Sequence, residues 1–159
     1  MKVELRLPAE VQANEPARPV VVDTNVALDL LIFSDPRTAP LRTLLVQGRL
    51  AWIATQVMRD ELERVLAYPH IVERMDYYRV GAAQVLAAFD AQARLVDVVP
   101  KVAYACKDAD DQKFIDLAAA HRAILLSKDK AVICMRKRLA NLGADVATEV
   151  VLGVDVVCA

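Results

Sequence analysis

Residues 19–33 read PVVVDTNVALDLLIF. Val20, Val21 and Val22 are β-branched and show no polar alternation, the pattern of a strand buried on both faces. Asp23-Thr24-Asn25 ends the apolar run. Val26 to Phe33 then reads as a helix with one charge, Asp29.

Working outward, the same alternation recurs. Asp35-Pro36 and Pro40 mark a loop. Leu41 to Gln47 reads as a second helix, ended by Gly48, and Leu50 to Ala54 as a second apolar strand. Thr55 is placed to cap a helix running to about Ala67, before Pro69. His70 to Asp76 is ambiguous. Val80 to Arg94 is a long helical stretch, and Leu95 to Val99 a third strand closed by Pro100. After the polar segment Lys107 to Asp110, Asp111 to His121 is helical and Ala123 to Ser127 is a fourth strand. Lys130 to Asn141 reads as a helix with Gly143 at its end, and Ala144 to Val151 as a fifth strand. Strands of about five residues alternating with helices of roughly 10 to 15 predict an α/β three-layer sandwich, a central parallel sheet of about five strands flanked by helices. The first 18 residues stand apart. Val3, Leu5 and Leu7 alternate with Glu4 and Arg6, and Pro8 breaks the pattern, so 1–18 is expected as an arm or edge strand, 19–151 as the domain and 152–159 as a tail.

Composition narrows the classes. The 159 residues suit one domain, and 56% hydrophobic residues exclude disorder over most of the length. With 5% aromatics the core must be aliphatic. Twenty basic against 21 acidic residues give a net charge of −1, which argues against a wholesale positive surface for duplex DNA. Cys106, Cys134 and Cys158 form no CxxC, and His70 and His121 are the only histidines, so neither a disulfide framework nor a zinc site is expected. No apolar run approaches the roughly 18 residues of a membrane span. The opening MKVELRLPAEVQANEPARP lacks the apolar centre of a secretory signal, and a cytoplasmic setting is expected.

In a parallel sheet of this kind, ligands bind beyond the carboxyl ends of the strands. Asp23 follows the first strand of the domain and Asp129 lies just past the fourth. Asp111 opens the preceding helix, and Glu61 lies nearly two turns inside the helix after the second strand. Each has a plain structural reading. Asp23 and Asp108 suit helix caps, Glu61 and Glu63 suit solvated helix faces, and Asp129 suits a turn. The joint placement points elsewhere. Two carboxylates about 4 Å apart repel by roughly 4 kcal/mol at an effective dielectric near 20. A hard divalent cation with oxygen ligands relieves that repulsion, and Mg²⁺ or Mn²⁺ so held serves phosphoryl chemistry.

At these residues the chain resembles the PIN-domain family, and within it bacterial toxin components of the VapC-like kind. VVVDTNVAL (20–28) resembles the first motif, and VMRDELERVLAYP (57–69), with Glu61, the second. CKDADDQKFIDLA (106–118), with Asp111, resembles the third. LLSKDKAV (125–132), with Ser127 and Asp129, resembles the fourth. Ala109 stands where proline is frequent, Ser127 replaces threonine, and the 18-residue leader has no counterpart. The resemblance implies a Mg²⁺- or Mn²⁺-dependent endoribonuclease acting on RNA, homodimerisation, and neutralisation by an antitoxin protein.

Asp23, Asp111 and Asp129 are then expected to ligate metal directly or through water, and Glu61 to join them by holding or positioning a water. Asn25 and Ser127 are expected to orient the site by hydrogen bonds. Asp108 is a further candidate neighbour, and Asp110 a weaker one. Arg136-Lys137-Arg138, Arg42, Arg49 and Arg64 are candidates for phosphate contact beside the plainer reading of solvated charges. Tyr77 and Tyr78 suit surface or interface positions, with base stacking as the second reading. A haloacid-dehalogenase-type phosphatase needs an acid two residues after Asp23, where Asn25 stands. A receiver domain places its acidic pair ahead of the phosphorylated Asp, whereas Asp110-Asp111 comes after. The remaining alternative is a catalytically silent PIN-like module that binds RNA or protein.

Overall fold

A computed structural model describes residues 2–9 and 15–153. Cys158 and most of the expected tail lie outside the described residues. The element order is β1 (Glu4–Pro8), β2 (Arg18–Val22), α1 (Thr24–Leu31), α2 (Ala39–Val46), β3 (Leu50–Ala54), α3 (Gln56–Val65), α4 (Pro69–Tyr77), α5 (Ala82–Gln92), β4 (Ala93–Leu95), α6 (Gln112–His121), β5 (Ile124–Leu126), α7 (Lys130–Ile133), α8 (Arg136–Ala140), β6 (Asp145–Ala147) and β7 (Glu149–Gly153). Short 3₁₀ turns occupy Pro36–Thr38 and Ala109–Asp111.

Five strands form one parallel sheet in the order β4-β3-β2-β5-β6, with helices on its faces. This is the three-layer α/β fold expected from the strand–helix rhythm. β2 is central, its Val20 lying opposite Trp52 of β3 and Ile124 of β5. Val20, Val21, Ile53, Ile124 and Leu125 have no exposed surface, which is why these strands read as unbroken apolar runs. Trp52 is core, edge-on to Phe89 with centroids 5.1 Å apart.

Several local expectations shift. β4 lies two residues upstream of the expected Leu95–Val99. Its partner β3 ends at Ala54, where Thr55 caps α3 by accepting from Met58 N at 3.4 Å. After Val96 N donates to Ala54 O at 2.8 Å the ladder has no further partner strand, and Val98 is left 71% exposed. The expected Lys130–Asn141 helix is two short helices, its ladder tightening to an i→i−3 bond between Met135 N and Val132 O (2.9 Å). Val132, Met135 and Leu139 are buried at helical spacing across the break, so the sequence reads as continuous. Pro40 lies in the first turn of α2 rather than in a loop, where its missing N–H is no loss. The ambiguous His70–Asp76 belongs to α4, which opens on Pro69.

The expected fifth strand, Ala144–Val151, is divided between two sheets. β6 pairs with β5, and β7 pairs in parallel with β1. Thr148 makes the transfer. Its Oγ1 accepts from Val3 N and donates to Val3 O, both at 2.8 Å, and its own N–H donates to Val3 O at 2.8 Å. Val3, Leu5 and Leu7 pack their half-buried side chains against the core. A bond from Arg49 Nη2, just before β3, to Pro8 O at 2.6 Å ties this ribbon to the sheet, within which an Arg18–Asp145 ion pair at 2.7 Å links β2 to β6.

Candidate active site

The strand order reverses between β2 and β5. In open α/β sheets the crevice beyond the carboxyl ends at such a reversal is where ligands bind. Asp23 follows β2, and Ser127 and Asp129 follow β5. Ser127 is fully buried, and its Oγ donates to Asp23 Oδ2 at 2.6 Å while accepting from Asp129 N at 3.1 Å. Asp23 N donates to Leu126 O at 2.9 Å. Asp23 takes the N-cap position of α1 but makes no side-chain cap bond to it. Its carboxylate is therefore turned to a different use, and its backbone carbonyl accepts from Ala27 N at 2.9 Å as α1 begins.

The tightest grouping is Asp108, Asp111 and Asp129, each offering a carboxylate oxygen within 4.8 Å of the others. Asp108 lies on the approach to the 3₁₀ turn, where its Oδ1 accepts from Asp110 N at 3.0 Å. Asp129 caps α7 through Oδ1, accepting from Ala131 N at 2.9 Å. The capping reading of Asp108 thus holds, and Asp129, read as a turn residue, caps α7, yet both also face Asp111. Asp111 is 9% exposed, and its Oδ2 is fully buried with no hydrogen-bond partner among the described residues.

Electrostatics follow from this crowding. Burial, the carboxyl of Asp129 close beside it and the charge of Asp23 raise the Asp111 carboxyl to about 7. Burial also pushes Asp23 up, against the Ser127 hydrogen bond, with Glu61 and Asp129 adding repulsion. Two full negative charges about 5 Å apart repel by roughly 3 kcal/mol at an effective dielectric near 20, so a shared proton or a cation must relieve the group.

Glu61 reaches the same rim from α3. Its Oε2 accepts from Thr24 Oγ1 at 3.1 Å and lies 3.2 Å from Lys113 Nζ. Asp108, Asp111 and Asp129 are thus drawn together, Asp23 is joined to them through Ser127 and by its charge on Asp111, and Glu61 stands beside them on its own pair of donors. Asn25 does not orient the group: it is exposed and makes no side-chain hydrogen bond among the described residues. Its neighbour Thr24 does so instead, since residue 25 points outward from the first turn of α1. Asp110 is exposed, with its carbonyl accepting from Lys113 Nζ.

Lys113 and Thr24 are the residues that sequence reasoning missed. Thr24 lies inside the first motif. Lys113 was readable as an anomaly, a cation in the first turn of a helix, where the dipole disfavours positive charge. Of the candidate phosphate contacts, Arg42 and Arg49 are engaged with the Leu30 and Pro8 carbonyls, whereas Arg64, Arg136, Lys137 and Arg138 are exposed. Tyr77 is exposed, and Tyr78 lies 5.6 Å from the Phe33 ring. A cavity of about 400 Å³ opens beside the rim, with Val26, Leu126 and Lys128 on one side and Lys2, Arg37 and Thr148 on the other. Its cations are already paired, Lys2 with Glu4, Arg37 with Asp35 and Lys128 with Asp29, so it is charge-balanced rather than basic.

The PIN-domain family model matches residues 19–131, more than two thirds of the chain. The chain belongs to the PIN-domain family, a nuclease-type fold, and its acidic group is compatible with a metal site. No curated protein and no solved structure matches it. Among the described residues, no helix is long and apolar enough to cross a membrane.

Proposed function

We propose that this chain is a metal-dependent endoribonuclease hydrolysing RNA phosphodiester bonds. The observation that carries the reading is the buried, unpartnered Oδ2 of Asp111 among three mutually close carboxylates. An all-oxygen donor set of this kind fits Mg²⁺ or Mn²⁺. Asp111, Asp129 and Asp23 would hold the cation, with Asp108 as a fourth neighbour. When bound, the cation supplies water activation and charge neutralisation at the phosphate.

The chain's own residues set the rest. Ser127 holds Asp23 and, through its acceptance from Asp129 N, fixes the turn that presents Asp129. Glu61, held in place by Thr24 Oγ1 and Lys113 Nζ, positions a water for in-line attack on phosphorus. The 3′-oxygen then leaves and the product carries a 5′-phosphate. The exposed Arg136-Lys137-Arg138 run offers phosphate contacts.

The reading is tested by cleavage of RNA with Mg²⁺ and with Mn²⁺, comparing the native chain with Asp23→Asn. Cleavage in the native chain and its loss in the variant is expected, and equal activity of both would end the proposal. The further roles, as toxin of a toxin–antitoxin pair, as homodimer and as a cytoplasmic protein with an antitoxin partner, are supported by the four VapC-like motifs. Growth arrest on induced expression, relieved by co-expressing the product of the adjoining reading frame, tests the toxin role.

A further inference from the structure

A cavity of about 150 Å³ lies next to Glu61, bounded by Val57 at the start of α3, Val98 and Val99 of the 96–108 segment, and Leu117 of α6. Pockets that take whole small molecules hold about 300–1,000 Å³, so this one suits a single ring system. Its apolar walls are left open to solvent at Val57 (49% exposed) and Val98 (71% exposed).

The polar lining is Thr55, Lys113 and Asp116. Thr55 Oγ1 is occupied by the α3 cap. Lys113 Nζ is 3.2 Å from Glu61 Oε2 and so joins the cavity to the acidic site. Asp116 is only 8% exposed. Its Oδ1 accepts from Val102 N at 3.0 Å and from Gln112 Nε2 at 2.8 Å, while Oδ2 has no partner among the described residues. Asp116 lines the cavity, and its second carboxylate oxygen is open there to accept from an occupant.

The wall is also built to stay in place. Gln112 accepts from Cys106 N at 2.6 Å and donates to Tyr104 O at 3.1 Å, so α6 tethers the 96–108 segment at Val102, Tyr104 and Cys106. The result is a preformed slot with apolar faces, one free acceptor, and a cation at the end nearest the acids. A planar heterocycle with an N–H edge matches it.

Resting on the ribonuclease reading above, we propose that this cavity is a nucleobase subsite that seats one base of the RNA beside the scissile phosphate. Val57 and Val98 cover the ring faces, Asp116 Oδ2 accepts from the base N–H edge, and Lys113 donates to a ring carbonyl. Guanine is the preferred occupant. It presents two adjacent N–H donors next to a carbonyl, and one carboxylate oxygen has two lone pairs to receive them.

Asp116→Asn tests this with little change of shape. The amide keeps one oxygen to serve Val102 N and Gln112 and replaces the free acceptor with a donor. Oligoribonucleotides differing at one position beside the cut are cleaved with Mn²⁺. The native chain is expected to favour guanine by about tenfold or more, the worth of one hydrogen bond to a charged group. Asp116→Asn is expected to cut still but to lose that preference. Equal cleavage of all four bases by the native chain, or a preference that survives in Asp116→Asn, overturns the subsite. A binding readout separates this from the cleavage chemistry. Methyl resonances of Val57, Val98 and Leu117 are followed in EDTA as GMP or AMP is added to millimolar levels. Shifts with GMP and not AMP are expected, and no shift with GMP overturns the subsite even if RNA is cut. Shifts with GMP in a chain that cleaves no RNA would sustain the subsite and sink the ribonuclease reading instead.

Discussion

Ser127 Oγ donates to Asp23 Oδ2 at 2.6 Å, joining the ends of two neighbouring parallel strands whose residues are 104 positions apart in the chain. The hydroxyl is fully buried and serves two acids at once, Asp23 through its proton and Asp129 through the backbone N–H it receives. Ser127→Ala is expected to lower metal affinity and cleavage by about 10- to 100-fold, the usual cost of removing a partner that orients a ligand. Ser127→Thr keeps the hydroxyl and should retain most of both. Mn²⁺ titration and cleavage rates on the two variants check this. Equal loss in both would show that bulk, not the hydrogen bond, matters.

Asp111→Asn removes the charge that the cluster tolerates least. Without metal the variant should melt at a higher temperature than the native chain, because repulsion among Asp108, Asp111 and Asp129 is relieved. With metal the order should reverse, since the native chain gains stability by mass action and the variant gains little. Melting curves in EDTA and in millimolar Mn²⁺ decide it, and a native chain indifferent to Mn²⁺ would contradict the prediction.

The raised Asp111 carboxyl gives a pH dependence of definite sign. Its folded value, about 7, lies above the unfolded value of 3.8. Between those limits the folded chain holds a proton that the unfolded chain has lost. The stability contributed by this group is therefore complete below about pH 4 and declines as pH rises to about 7. The buried Asp23, also raised, acts in the same direction. Metal must displace the Asp111 proton, so Mn²⁺ affinity should rise toward pH 7 with proton release. Calorimetric titration in buffers of different ionisation enthalpy measures that proton, and an uptake or no release would refute the assignment.

Lys113 holds Glu61 across the mouth of the site at 3.2 Å. Lys113→Met should lower the cleavage rate by about tenfold while leaving the melting temperature within about 1–2 °C of native, since partly exposed ion pairs add little stability. A large loss of stability would instead mark Lys113 as structural.

Thr148 makes reciprocal bonds with Val3, and Thr148→Val removes both of its hydroxyl bonds while keeping its shape. A loss of about 1–2 kcal/mol in denaturant unfolding is expected, with the β1–β7 ribbon exchanging its amides faster. Unchanged amide protection of Val3 to Leu7 would show that the ribbon is held by its apolar side chains alone.

What the linear chain determined on its own is the strand–helix rhythm of the parallel sheet and the set of candidate acids. Apolar runs such as Val20–Val22 and Leu50–Ala54 carry their burial in their composition, and capping residues such as Thr55 mark helix starts by local chemistry. The motifs named Asp23, Asp111 and Asp129 because each stands at a strand end or helix start, where local pattern is strongest, and Glu61 from inside a helix by the second motif alone. Tertiary structure decided everything that depends on a partner distant along the chain. β4 is short because β3 ends, which no window around Leu95 contains. The stretch after Ala144 divides between two sheets because Thr148 finds Val3, 145 positions away. Thr24 rather than Asn25 meets Glu61 because only the helix phase set by the buried face of α1 decides which side chain turns inward. The high carboxyl of Asp111 arises from burial and from neighbours on other elements, so it exists only once the chain has closed around them.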